Sequence, residues 1–252
     1  GGIPVFILRD FLDLRSNLIT MLLLKEMKDS LLHFLFPHTC CGCGSDILGE
    51  DSTLCLHCLH ALPETCFEWH PSNPVEKMFW GRLPLQSASA TYYFTKESLV
   101  QHLMHQLKYK GNKELGIQLG KLMGEAMKKS GRFAADALIP LPLFPKKEKR
   151  RGYNQATLLC EGISSILEIP VWAHAIQRPE HTDTQTKKGR VERWKNMEGK
   201  FVVNEPAMLE HKKIILVDDV VTTGATLESC GAELLKIPGV QLHIASLCIA
   251  TR

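Results

Sequence analysis

The sequence predicts an α/β fold, a mostly parallel sheet flanked by helices, with a small zinc-ribbon-like module in front of it. Three observations predict it. From about Ser87 onward, short apolar runs alternate with segments of helical period, the pattern of a parallel sheet with helices on both faces. One run, Ile214 to Val217, passes through two carboxylates into a Thr- and Gly-rich stretch and then a helical pattern. Four early cysteines form two Cys-x2-Cys pairs. The 252 residues suffice for one large domain plus a small module. The expected divisions are an extension at 1–30, the cysteine module at 31–70, a linker at 71–86 and the main domain at 87–252. A hydrophobic content of 44% with 23% charged residues is that of a globular protein. The net charge of +3 is too small to argue for nucleic acid by itself.

Residues 1–26 do not begin with Met, and Met27-Lys-Asp-Ser would make a natural start. They read as a cloning scar or an extension upstream of the usual start. If they fold, Phe6 to Met27 should be an amphipathic helix with Phe11, Leu14, Leu18, Met21 and Leu22 on one face. The run Met21 to Leu24 is too short to span a bilayer and no small-residue cleavage site comes after it. Nine cysteines, an odd number, fit a reducing compartment. A cytoplasmic protein with no membrane insertion is expected.

Leu31 to Pro37 leads into the cysteine module. Cys40 and Cys43, then, after eleven intervening residues, Cys55 and Cys58, make a four-thiolate set suited to Zn2+. A Cys-x2-Cys turn brings two sulfurs to one metal, and Gly42 and Gly44 allow the tight loop. Two such turns close a structural tetrahedral site without a position for water. Cys41 and Cys66 fall outside this scheme, and His57 and His60 are expected to be exposed. Pro63, Pro71, Pro74 and Pro84 mark the linker. Trp69, Met78, Phe79 and Trp80 are expected to pack the module onto the main domain.

The main domain should open with a strand at Ser87–Phe94. Helices come next at Glu97–Tyr109 and Lys113–Lys129, then a strand at Ala137–Leu141. A helix is expected at Gln155–Leu167, a strand at Val171–Ile176 and a last strand at Val240–Ala250. Between them lies the stretch 213–227, read as strand, acidic pair, loop and helix. A loop closing onto a helix N-terminus aims backbone N–H groups and the positive end of the dipole at one point. Gly224 lets the backbone curl, and the threonine hydroxyls add donors. That suits a terminal phosphate. Asp218 and Asp219 would repel a phosphate, so they should face sugar hydroxyls or a metal ion. The ligand implied is a sugar phosphate. No Gly-Lys-Ser/Thr follows the strand, which excludes a Walker-type loop.

The thirteen residues Ile214 to Thr226 resemble the phosphoribosyl pyrophosphate (PRPP) motif of type I phosphoribosyltransferases. Three further stretches narrow the resemblance. They are Arg151-Gly-Tyr-Asn-Gln-Ala156 after an Ile-Pro-x-Pro strand, Leu107-Lys-Tyr-Lys-Gly111, and the cysteine module running into Leu62-Pro63. Together these resemble the competence protein F (ComF) family over about residues 31–252. The resemblance implies a type I phosphoribosyltransferase-like fold. It implies that Asp218 and Asp219 are the catalytic pair, orienting the ribose hydroxyls directly or through Mg2+. Val220, Val221, Thr222, Thr223, Gly224, Ala225 and Thr226 complete the PRPP site around the 5′-phosphate.

Arg151 sits in a basic stretch with Lys146, Lys147, Lys149 and Arg150 after the prolines Pro140, Pro142 and Pro145. A guanidinium there suits pyrophosphate. The polar stretch 178–197 suits a lid, in which Arg190 would also meet pyrophosphate; Gln185, Arg193 and Asn196 match the family's segment before the strand at Phe201. The reaction implied is attack of a nitrogen nucleophile at C1′ of PRPP, with positioning and charge stabilisation as the protein's task. Glutamine-dependent amidotransfer is not expected, because the early cysteines are committed to metal and no amidohydrolase domain is evident. The family equally implies a role in DNA uptake without catalysis. PRPP or a nucleotide would then regulate, while the module and basic clusters contact single-stranded DNA or a helicase partner, and Tyr109, Tyr153 and Trp194 could stack on bases.

Overall fold

A computed structural model describes residues 39–46, 48, 52–179 and 201–250. Its centre is a four-stranded, all-parallel sheet of order β1-β6-β5-β2, with β1 at Leu85–Phe94, β2 at Ala137–Pro140, β5 at Lys213–Val221 and β6 at Gln241–Ala250. The middles of β2, β5 and β6 are largely apolar, as expected for strands buried on both faces, whereas β1 intersperses small polar residues, Ser87, Ser89 and Thr91, that are also buried. The segments Ile214–Val217 and Leu242–Ile249 are almost wholly inaccessible.

Helices α3 (Leu99–Tyr109), α4 (Lys113–Ser130) and α6 (Gln155–Leu167) cover one face, and their apolar stripes form a core with Leu138, Ile215, Val217 and Leu247. The other face is covered by α2 (Pro74–Phe79) and α8 (Ala225–Leu234), which pack with Ile139, Leu216 and Ile244. Short helices α1 (Leu56–His60), α5 (Pro145–Arg151) and α7 (Pro206–Leu209) lie between these elements in the chain.

Most expected elements stand within two residues of their predicted ends. The strand expected at Val171–Ile176 does not form. Val171 makes one parallel bridge to Leu138, a turn comes next in which Ala175 N–H donates to Trp172 O, and the chain leaves the sheet. Ile176–Gln177 (β3) then pairs antiparallel with Val202–Val203 (β4) in a separate ribbon.

Residues 71–86 were expected to be linker and instead hold α2. Asn73 caps α2 through its Oδ1 and donates from Nδ2 to the carbonyls of Phe67, His70 and Ala88. Arg132 pairs with Glu76 at 2.5 Å. This polar anchoring buries Val75 and Phe79. Trp69 and Trp80 are exposed, at 46% and 61%, so of the four expected packing residues only Phe79 is deeply buried, and it packs with α8 rather than with the cysteine module.

Among the described residues no helix is long and apolar enough to cross a membrane. The expected helix Phe6–Met27 and the lead-in Leu31–Pro37 lie outside the described residues.

Candidate sugar-phosphate site and cysteine cluster

The motif strand is longer than its apolar run. β5 continues through Asp218 and Asp219 to Val221, paired with β6 up to Val221↔Ile249. Its other neighbour stops earlier, at Pro140↔Val217. The carboxylates therefore sit where one flanking strand has ended and the other continues, at the carboxyl edge where open α/β sheets take ligands. The space left by β2 is a cavity of about 320 Å³, within the roughly 300–1,000 Å³ typical of small-molecule sites. Asp218, Asp219 and Thr226 form one side. The stretch Leu141–Phe144, with Asn154 and Gln155 at the start of α6, forms the other.

Four cations face the two carboxylates: Lys108, Lys147, Arg151 and Arg178. Lys108 Nζ lies 3.0 Å from Asp219 Oδ2. Arg151 donates to Gln155 Oε1 and lies 5.7 Å from the Tyr109 ring centroid. The Arg178 guanidinium stacks on Phe144 at 3.4 Å, and its buried Nε has no hydrogen-bond partner. Asp219 N–H donates to Asp218 Oδ1 at 2.8 Å. Burial, then the neighbouring Asp219 charge, push the Asp218 carboxyl up to about 8, against the pull of that N–H and of Lys108.

The loop after the carboxylates is prepared for an anion. Helices α3, α4 and α6 each begin at a capping side chain, Ser98, Asn112 and Asn154. Helix α8 begins at Gly224 (φ +75°), which has no side chain to cap it; the Ala225 N–H makes only a long bond to Thr223 Oγ1 at 3.4 Å, which leaves most of this helix end to water or a ligand. Thr222, Thr223, Ala225 and Thr226 are exposed. Of these threonines only Thr223 bonds the helix end, through the long Ala225 N–H contact.

The cysteine cluster lies elsewhere. The sulfurs of Cys40, Cys43, Cys55 and Cys58 are all within 4.8 Å of one another, and Cys43 and Cys55 are 3.6 Å apart. Sulfurs around a tetrahedral Zn2+ with bonds of about 2.3 Å stand roughly 3.8 Å apart, so the set fits the ion. Burial would raise the Cys40 thiol, but N–H groups of Cys55, Cys43 and Gly42 bring it down to about 6; those of Cys55 and Gly42 lie 3.3 Å from its sulfur. Cys41 is not in the cluster. Its sulfur accepts from Asn112 Nδ2 and its carbonyl from Gln106 Nε2. Thr53 N–H donates to Gln118 Oε1. The module is thereby fastened to α3 and α4. His57, His60 and Cys66 are exposed.

A profile of the phosphoribosyl transferase domain matches residues 155–252. DNA utilization protein YhgH of Escherichia coli O157:H7 is 30% identical over 82% of this chain and 89% of its own. The chain belongs to the ComF family. Competence protein F of Haemophilus influenzae is a further relative, 28% identical over 87% of this chain and 93% of its own. Among solved structures, glutamine PRPP amidotransferase from B. subtilis, complexed with ADP and GMP, matches 57% of this chain and 30% of its own. Its 14% identity and TM-score of 0.41 are too low to bear on function. In this ComF-family chain the domain match includes Asp218 to Thr226, while Arg151 and the cysteine cluster precede it.

Of the residues singled out in the sequence, Asp218, Asp219, Thr226 and Arg151 meet in one cavity, and the four cysteines meet in one cluster. Arg190, Gln185, Arg193, Asn196 and Trp194 lie outside the described residues. Two cavity cations have no role assignable from sequence. Lys108 lies inside the Leu107–Gly111 stretch, which is a usable signal. Arg178 looks like the first residue of a loop, and only the fold brings it to the cavity.

Proposed function

We propose that the cavity binds PRPP together with Mg2+, and that the protein transfers its phosphoribosyl group to a nitrogen acceptor. One observation supports this reading: a helix N-terminus held only by one long side-chain bond and an acidic pair open beside a wall of four cations. The 5′-phosphate would lie on Thr222 to Thr226. Asp218 and Asp219 would take the ribose hydroxyls, directly or through Mg2+, and Arg151 with its neighbours would face the diphosphate. Mg2+ would supply charge neutralisation at the diphosphate, while the protein's residues position C1′ for in-line attack. The four cysteines would hold a structural Zn2+. Calorimetry with PRPP and Mg2+ tests the site. Binding by the wild type and none by Asp218→Asn/Asp219→Asn, with an intact fold, is the expected result; equal affinity would refute the assignment.

A second reading has its own support. In α5, Lys147 and Arg151 line the cavity, whereas Lys146, Lys149 and Arg150 are exposed outside it. Relatives are named for DNA utilization and competence. PRPP would then act as a regulator, and the outward cations would contact single-stranded DNA or a helicase partner. Pyrophosphate release with a candidate base favours the transferase; steep salt dependence of binding to single strands favours the second reading.

A further inference from the structure

The last turn of α3 joins the parts of the molecule residue by residue. Gln106 Nε2 donates to the Cys41 carbonyl at 2.5 Å. The Leu107 carbonyl accepts from Tyr153 Oη. Lys108 Nζ lies 3.0 Å from Asp219 Oδ2, and the Tyr109 ring stands beside Arg151. The turn is held from the cysteine module on one side and from the start of α6 on the other, so its placement of Lys108 is not incidental.

Lys108 is the cation of the cavity wall that is ion-paired to the acidic pair. Arg151 is engaged with Gln155, and Arg178 with Phe144. The Lys108 and Asp219 side chains retain 25% and 15% of their exposure and both line the cavity, so a ligand entering it can reach the pair and supply polar groups in exchange for either partner. Sugar hydroxyls arriving at Asp219 would compete for the oxygen that Lys108 now holds. The displaced ammonium would stay tethered in the same cavity, with its charge free for a second anion. PRPP carries one, the diphosphate on C1′, next to the hydroxyls the carboxylates would hold. Ribose 5-phosphate does not.

We propose that Lys108 is an exchangeable counter-ion, which gives up Asp219 to the sugar hydroxyls, takes up the C1′ diphosphate, and so selects the 1-diphosphate sugar over the sugar 5-phosphate. This rests on the reading of the cavity as a PRPP site.

Calorimetry with PRPP and with ribose 5-phosphate, at fixed Mg2+, on the wild type, Lys108→Met and Lys108→Arg tests it. One charge-assisted contact corresponds to roughly ten-fold in affinity or more. Lys108→Met should lose at least that for PRPP while binding ribose 5-phosphate as well as before or more tightly, and Lys108→Arg should keep part of the preference. A preference for PRPP that survives in Lys108→Met overturns the counter-ion role and leaves the PRPP site standing. A wild type that binds neither sugar overturns both. The wild type alone gives a check that needs no variant. Amine labelling read by mass spectrometry should show Lys108 protected by PRPP and made more reactive by ribose 5-phosphate, and equal reactivity with both would refute the exchange.

Discussion

The ring of Phe79 closes the space behind Gly224: a Cβ added there would come within 2.9 Å of Phe79 Cε1. Gly224 also has φ +75°, a left-handed conformation that a side chain disfavours. One glycine thus meets two requirements, the curl of the Thr-rich loop and the approach of α2 beneath it.

Gly224→Ala should therefore destabilise the fold by about 1–3 kcal/mol through backbone strain and overpacking, and weaken phosphate binding. Shortening the ring in Gly224→Ala/Phe79→Leu should recover the packing part alone. Urea denaturation of the two variants separates the contributions. Recovery of full wild-type stability by the double variant would mean that the backbone carries no strain.

Gly42 serves the cysteine cluster in a similar way. A Cβ there would meet Cys58 Sγ at 2.6 Å and Leu99 Cδ1 at 3.0 Å, so Gly42→Ala should open the thiolate set and reduce metal content as read by mass spectrometry of the intact protein. Cys40, Cys55 and Cys58 are buried in the same core as α3, α4 and α6. Chelation should then lower the melting temperature of the whole chain, because binding energy at a structural zinc site is folding energy. A thermal transition that chelator leaves unmoved would show that a metal at the four cysteines contributes nothing to the stability of that core.

The sheet was legible because short apolar or β-branched stretches alternate with helices of clear period, and Gln155–Leu167 falls at its predicted bounds. The carboxylates and the glycine were legible because they are consecutive in the chain. Of the cavity's opposite wall, Arg151 was singled out but Lys108 and Arg178 were given no role. They come from distant segments, and only the fold brings the end of α3 beside β5. The prolines around α2 read as linker because local composition does not reveal that Asn73 satisfies three carbonyls at once. The strand at Val171 failed because its apolar residues are shared between one bridge to β2 and the separate ribbon.

Helix α5 offers a direct separation of the two functional readings. Substituting Lys146, Lys149 and Arg150 by Gln removes cations that do not line the cavity. PRPP affinity should stay within about two-fold, as for additive distant sites. If single-stranded DNA binds here, its log–log salt slope should fall by about 2, at roughly 0.7 per phosphate contact. Lys147→Gln/Arg151→Gln should do the reverse and act mainly on PRPP. Equal loss of both ligands in both variants would place DNA and PRPP in one site.

Asp218 sets the pH dependence. Its carboxyl is held up at about 8, against an ordinary 3.8, first by burial and then by Asp219. Near neutral pH the free protein thus holds a proton that the unfolded chain lacks. The group's contribution to stability is complete below about pH 4 and is lost as pH rises through about 8. Binding has the opposite sign. A ligand cation or Mg2+ that requires the carboxylate must expel the proton, so affinity should rise from pH 6 to about 8.5, by up to ten-fold per unit, and then level off. Calorimetry in two buffers of different ionisation enthalpy should register proton release near neutrality. Asp218→Asn should abolish that release and flatten the pH dependence of stability between 4 and 8. If the wild type bound PRPP with Mg2+ and released no proton at pH 7, binding would not draw a proton from Asp218, and the linkage would be refuted.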